Sequence, residues 1–112
     1  MYENVRGRAK RVLVVGASNG GLDLSPHTAL APDGLLIVME EDATRAAELR
    51  NSYVRGGLGS RATVIGGDPR RMLYKLAGPF DVIFCAQEHL SVRPKLQQLL
   101  APNGVIITNG DA

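Results

Sequence analysis

The run Val12-Leu-Val-Val-Gly-Ala-Ser-Asn-Gly-Gly21 breaks a β-branched strand into a glycine-rich turn, the way a nucleotide-type ligand site opens in a parallel α/β sheet. Gly16 and Gly20 let the backbone bend sharply and approach a ligand where a Cβ would collide. The segment that follows can aim free N–H groups at bound polar atoms. Such turns also follow strands that hold nothing, so the motif needs its context. His89, in Gln87-Glu88-His89 after a later apolar run, has the chemistry of a general base near neutral pH, and equally of an ordinary loop histidine. His27 beside Pro26 reads as a solvated loop or helix-start residue. Cys85 ends an apolar run as a small buried thiol with no thiolate-stabilising cluster in sight. No residue is assigned a catalytic role from its type and spacing.

The elements that must position these groups are five β-rich runs: Arg11 to Val15, Leu35 to Met39, Ala62 to Ile65, Phe80 to Cys85 and Val105 to Thr108. Val, Ile and Leu follow one another without polar alternation, which predicts strands covered on both faces and hence a parallel sheet with helical crossovers. Right-handed crossovers then give an α/β, Rossmann-like three-layer sandwich. Asp42 is placed to cap a helix over Ala43 to about Arg55, with Ala46, Leu49 and Tyr53 on one face and Gly56-Gly57 at its end. Asp68-Pro69 starts a second helix running to about Leu76. Ser91 or Arg93 opens a third, with Pro94 in its first turn and Leu96, Leu99 and Leu100 facing inward. The first crossover is interrupted by Pro26 and is either kinked or starts late behind Ser25. No internal repeat, low-complexity tract or interdomain linker is apparent.

Composition sets the bounds. A chain of 112 residues, 45% of them hydrophobic, suits a single domain over residues 1–112, with residues 1–10 as a basic lead-in arm. A chain of this size buries roughly two-thirds of its unfolded surface. Net charge is only +2, from 13 Lys/Arg against 11 Asp/Glu, so no nucleic-acid partner is expected despite a pI near 9.0. Arg6, Arg8, Lys10 and Arg11 have no aromatic residues interleaved for base stacking and read as a solvated lead-in. The single cysteine excludes an internal disulfide, no export leader is seen, and no apolar stretch is long enough to span a membrane. A reducing, cytoplasmic setting is expected.

Laid in order, these elements resemble the core of a class I S-adenosylmethionine-dependent methyltransferase, of the catechol O-methyltransferase-like family. The likeness rests on Val12-Leu-Val-Val-Gly-Ala-Ser-Asn-Gly20, Pro32-Asp-Gly-Leu-Leu-Ile-Val-Met-Glu-Glu-Asp42, Val64-Ile-Gly-Gly-Asp68, Gly78-Pro-Phe-Asp-Val-Ile-Phe84 and Leu99-Leu-Ala-Pro-Asn-Gly-Val-Ile-Ile-Thr108. It covers residues 11 to 110 and implies a strand order of 3-2-1-4-5. The resemblance implies S-adenosylmethionine as cofactor, with Gly16, Ala17, Ser18 and Gly20 under its methionine part. Glu40, next to Glu41, stands where the fold places the carboxylate that accepts both ribose hydroxyls. The alternative for Glu40 is a surface acid ahead of a helix that Glu41 and Asp42 already favour. Asp68 matches a contact to the adenine amino group and is at the same time a helix cap.

Departures from the family pattern matter as much. The acid two positions before the first glycine is Val14 here, and the middle glycine of the turn is Ser18. The carboxylate after the fourth strand is Ala86, and the Asp-Asn pair after the fifth is Asn109-Gly110. Hard cations need several oxygen ligands, so no metal site of the family kind is expected. Asp111 is the remaining acid near that place. Family enzymes also add amino-terminal helices over the substrate and an antiparallel strand pair after the fifth strand, and neither is expected within residues 1–112. An apolar fifth strand is then left as a sheet edge, and self-association is expected to cover it. Gly16-Ala-Ser-Asn-Gly20 also resembles the turn of short-chain dehydrogenases, but Leu22 replaces the next glycine and Tyr74-Lys75 are adjacent rather than spaced.

Two functions follow. One is a small methyltransferase that moves a methyl group to an oxygen or nitrogen of a small-molecule acceptor by alignment, without a metal. The other is a noncatalytic module of the same fold that binds the cofactor or a protein partner.

Overall fold

The computed structural model describes residues 7–16 and 29–108, apart from the side chains of Gln87, Glu88 and Leu90. Five strands, β1 (Ala9–Val15), β2 (Leu30–Glu40), β3 (Ala62–Gly66), β4 (Phe80–Cys85) and β5 (Leu100–Thr108), form one parallel sheet in the order β3-β2-β1-β4-β5. Three α-helices are described: α1 (Ala43–Arg55), α2 (Pro69–Met72) and α3 (Arg93–Leu99). A 3₁₀ turn, Leu73–Lys75, extends α2, and a 3₁₀ segment, Gln87–Val92, leads into α3. The chain builds outward from central β1 to β3 and then crosses to β4 and β5. The order therefore reverses between β1 and β4, the place where open α/β sheets form a crevice beyond their carboxyl ends.

Continuous apolar runs serve both faces because successive side chains point to opposite sides of a strand. Val12 and Val14 meet Val38, Phe84 and Ala46 of α1, while Leu13 and Val15 meet Ile83, Leu73, Leu96 and Leu99 on the other face. Each fully buried Val or Leu contributes about 1.5–3 kcal/mol. The result is the Rossmann-like α/β sandwich that the sequence predicts.

The predicted α1 matches the structure at both ends. The Asp42 carboxylate accepts from the Arg45 N–H at 3.0 Å, the helix stops at Gly56, and Leu49 and Tyr53 pack beside buried Ala46. The second helix is shorter than predicted, becoming 3₁₀ at Leu73. Leu100, predicted on the inner face of the third helix, instead begins β5 opposite Phe80.

Two strands begin before their apolar runs, and for one reason. β1 pairs Ala9 with Leu30 and then Arg11 with Leu35; β4 pairs Phe80 with Leu100 and then Val82 with Val105. In each case three extra residues loop out of the longer strand, from Leu30-Ala-Pro-Asp-Gly34 and Leu100-Ala-Pro-Asn-Gly104. A Cβ on Gly34 would stand 2.7 Å from the Ala9 carbonyl oxygen, and one on Gly104 2.9 Å from that of Phe80. A short pattern therefore does repeat in this chain, corrected from the sequence reading because Pro and Gly mark a bulged strand start here, not a loop.

The basic arm is partly structural. Ala9 and Lys10 already belong to β1; Lys10 pairs with Asp33 at 2.6 Å, and the Arg11 guanidinium lies 4.6 Å from the Phe80 ring centroid. No helix among the described residues is long and apolar enough to cross a membrane.

Candidate functional site

The tips of β1, β2, β3 and β4 converge at the carboxyl edge of the sheet. β1 is fastened on both sides, since the Gly16 N–H donates to the Met39 carbonyl at 3.1 Å and the Ala86 N–H donates to that of Val15 at 2.9 Å. Gly16 has φ +80°, a conformation L side chains rarely adopt. A Cβ there would also lie 2.8 Å from His89 Nε2 and 3.1 Å from the Ala86 Cβ. Conformation and space both require glycine at this position. Val14, where the family carries an acid, is fully buried in the core.

Glu40 is the last residue of β2 and only 1% exposed, so it is not the surface acid of the alternative reading. Its Oε2 accepts the Asp42 N–H at 2.9 Å. Its Oε1 is buried with no hydrogen-bond partner among the described residues. Buried polar atoms are nearly always paired, and leaving a charged one unpaired costs more than the roughly 1–3 kcal/mol of a neutral group. Among the described residues this oxygen is an acceptor without a donor.

The two acids that follow divide other duties. Glu41 is 54% exposed, and its Oε1 lies 3.5 Å from His89 Nε2. Asp42 caps α1. His89 sits inside the 3₁₀ segment, its N–H donating to the Ala86 carbonyl at 2.9 Å, and its ring lies over Gly16. The imidazole thus bridges the tips of β1, β2 and β4, a juxtaposition that the sequence reading missed. No spacing signals it, because Gly16, Glu41 and His89 are brought together only by the sheet order.

Asp68 follows β3 as the N-cap of α2. Its Oδ1 accepts the Arg70 N–H at 2.9 Å, and its Oδ2 pairs with Arg70 Nη2 at 2.9 Å. The hydrogen-bonded Arg70 side chain, reinforced by that backbone N–H, holds the Asp68 carboxyl below its ordinary value. Cys85 is a free, buried thiol pushed up to about 11 by burial, which leaves it protonated and unreactive at neutral pH. Ala86 offers no donor at the end of β4, and among the described residues no three His, Cys, Asp or Glu side chains gather as metal ligands.

Of the sequence candidates, the structure brings Gly16, Glu40 and Glu41 together, with Asp68 at the neighbouring strand tip. Ala17, Ser18 and Gly20 lie outside the described residues, as do Pro26, His27, Asn109, Gly110 and Asp111.

A parallel sheet of this order, with a buried acid at the tip of its second strand, is a Rossmann-like α/β core. Neither a protein-family model nor a curated protein matches the chain. Solved structures do. The SAH-bound Podospora anserina methyltransferase PaMTH1 is 26% identical with a TM-score of 0.79, over 96% of this chain and 49% of its own. Cofactor-bound Rv0187 from MTB is 26% identical with a TM-score of 0.79, over 89% of this chain and 48% of its own. The O-methyltransferase TomG from Streptomyces achromogenes, in complex with SAM, is 22% identical with a TM-score of 0.81, over 96% of this chain and 52% of its own. The chain therefore carries the core fold of the S-adenosylmethionine-dependent O-methyltransferases and spans about half the length of the solved structures that it matches.

Proposed function

We propose that this chain binds S-adenosylmethionine at the carboxyl edge of its sheet and serves as the cofactor-holding core of a metal-free methyltransferase acting on a small-molecule acceptor. The observation that carries this reading is the buried Glu40 carboxylate with one oxygen unpartnered among the described residues. Glu40 would hold the ribose hydroxyls through Oε1, while Oε2 stays fixed by the Asp42 N–H. Asp68 would offer the adenine amino group an oxygen already shared with Arg70. Gly16 would admit the methionine part, together with Ala17, Ser18 and Gly20. A ligand reaching Gly16 meets the His89 imidazole first. When bound, the cofactor supplies an electrophilic methyl group; the protein supplies position and the exclusion of water. Ala86 favours transfer without a cation to hold the acceptor oxygens.

Calorimetry with S-adenosylmethionine and S-adenosylhomocysteine tests the site. Wild type is expected to bind both, and Glu40→Ala to lose roughly tenfold to a hundredfold in affinity, since a hydrogen bond to a charged group is worth about 1.5–3 kcal/mol. Absence of heat from wild type with either ligand overturns the reading. Labelled methyl transfer to small phenols and amines then separates an active enzyme from a module that binds without turnover.

A further inference from the structure

A second concavity lies outside the strand-tip site, between α2 with its 3₁₀ extension and the start of α3. It encloses about 370 Å³, within the range of roughly 300–1,000 Å³ of small-ligand pockets. Leu73 and Val92 form a buried apolar floor, and Arg70, Tyr74, Ser91 and Lys95 stand around it. Tyr74 is 74% exposed, one of three large hydrophobic residues left so open among the described residues. Lys95 Nζ hangs 5.1 Å from its ring centroid.

The charge here is one-sided. Arg70 and Lys95 are the basic residues that line the groove, and no acid lines it. Asp68 pairs with Arg70 and also faces Arg71, and Glu41 acts on Arg70 as well. The expectation against nucleic acid rested on total charge and on the amino-terminal arm, and neither reports that the Lys95 ammonium stands beside an exposed ring. An aromatic platform with an ammonium beside it and a hydroxyl nearby is what a planar base carrying a phosphate needs. A pocket of this size holds one such unit, whereas an acidic peptide needs a longer track.

We propose that this groove binds a nucleotide unit, with its base on Tyr74 and its phosphate on Lys95 and the Ser91 hydroxyl, as a free nucleotide or as the end of a single strand. The proposed contacts, Tyr74, Ser91 and Lys95, are separate from Gly16, Glu40 and Asp68; Arg70, which lines the groove and is bonded to Asp68, is the residue at which the two sites adjoin.

Titration with uridine 5′-monophosphate tests it, a pyrimidine being chosen so that adenosine recognition does not contribute. Wild type is expected to bind it at least tenfold more tightly than uridine or inorganic phosphate alone. Lys95→Glu should weaken it about tenfold, and Tyr74→Ala roughly fivefold or more. Both side chains are exposed, and unchanged melting curves would show that the fold survives. Saturating S-adenosylhomocysteine should leave the affinity unchanged. Tighter binding of a labelled oligouridine, with steep salt dependence, would assign the site to a strand end; equal affinity would assign it to a free nucleotide. The proposal is overturned if the nucleotide binds no better than phosphate, if Lys95→Glu binds as wild type does, or if a glutamate-rich peptide binds more tightly than either nucleotide probe.

Discussion

Two neighbouring strand tips solve the same local problem with opposite results. β2 ends in Glu40 and β3 leads to Asp68, and each acid precedes a helix whose first N–H groups need an acceptor. At β3 the acid does that work itself, capping α2 and pairing with Arg70, so both its oxygens already have partners within the protein. At β2 the cap is delegated to Asp42, two residues later, and Glu40 is left buried with one oxygen unpartnered among the described residues. A single acid at a strand tip is thus accounted for by helix capping; in a run of three, one is left without that duty.

The largest test removes the turn beside the buried acid. Gly16→Ala must strain a left-handed backbone and push aside His89 and Ala86, and a loss of about 2–4 kcal/mol in chemical unfolding is expected. A loss below that range would mean that the β1 tip adapts. Next, Glu40→Gln keeps the shape and the bond from the Asp42 N–H but removes a buried charge. It should hold or raise the melting temperature while weakening S-adenosylhomocysteine binding, the trade expected of a functional residue. A drop in both would make Glu40 a structural partner like Asp68 and erase the contrast. His89→Ala should tighten cofactor binding several-fold if the imidazole stands in the ligand's way, and weaken it if the ring is a contact.

Asp68 provides the smallest and sharpest control. Its folded value lies below the ordinary carboxylate value, so its stabilisation is present above that ordinary value and is lost as pH falls through the lowered one. Asp68→Asn keeps a capping oxygen, leaves stability at neutral pH nearly unchanged, and should flatten the decline of melting temperature on the acid side. An unaltered acid limb would show that Arg70 contributes nothing there, as exposed pairs often do.

The fold was legible because its strands are buried on both faces, and uninterrupted Val, Ile and Leu runs leave little else for Val12–Val15 or Phe80–Cys85 to be. α1 was legible because Asp42 and Gly56 are local signals. The starts of β2 and β5 were hidden because Pro and Gly there mark a bulge whose partner strand is distant in sequence. The position of Glu40 at a strand tip could be read; its burial and its unpaired oxygen could not, since both depend on chain packed from elsewhere. The groove escaped notice because its two cations, Arg70 and Lys95, come from separate segments of a chain of nearly balanced charge.

The twin Leu-Ala-Pro-Asx-Gly bends at the far end of the sheet have a bearing on all of this. They act as two keys cut to one pattern, locking the flanking strands against β1 and β4 in a single alignment. A one-residue slip at the β2 key would carry every side chain downstream to the wrong face, and Glu40 would leave the interior. The placement of that acid at one rim of the molecule is therefore only as secure as Gly34 at the opposite rim.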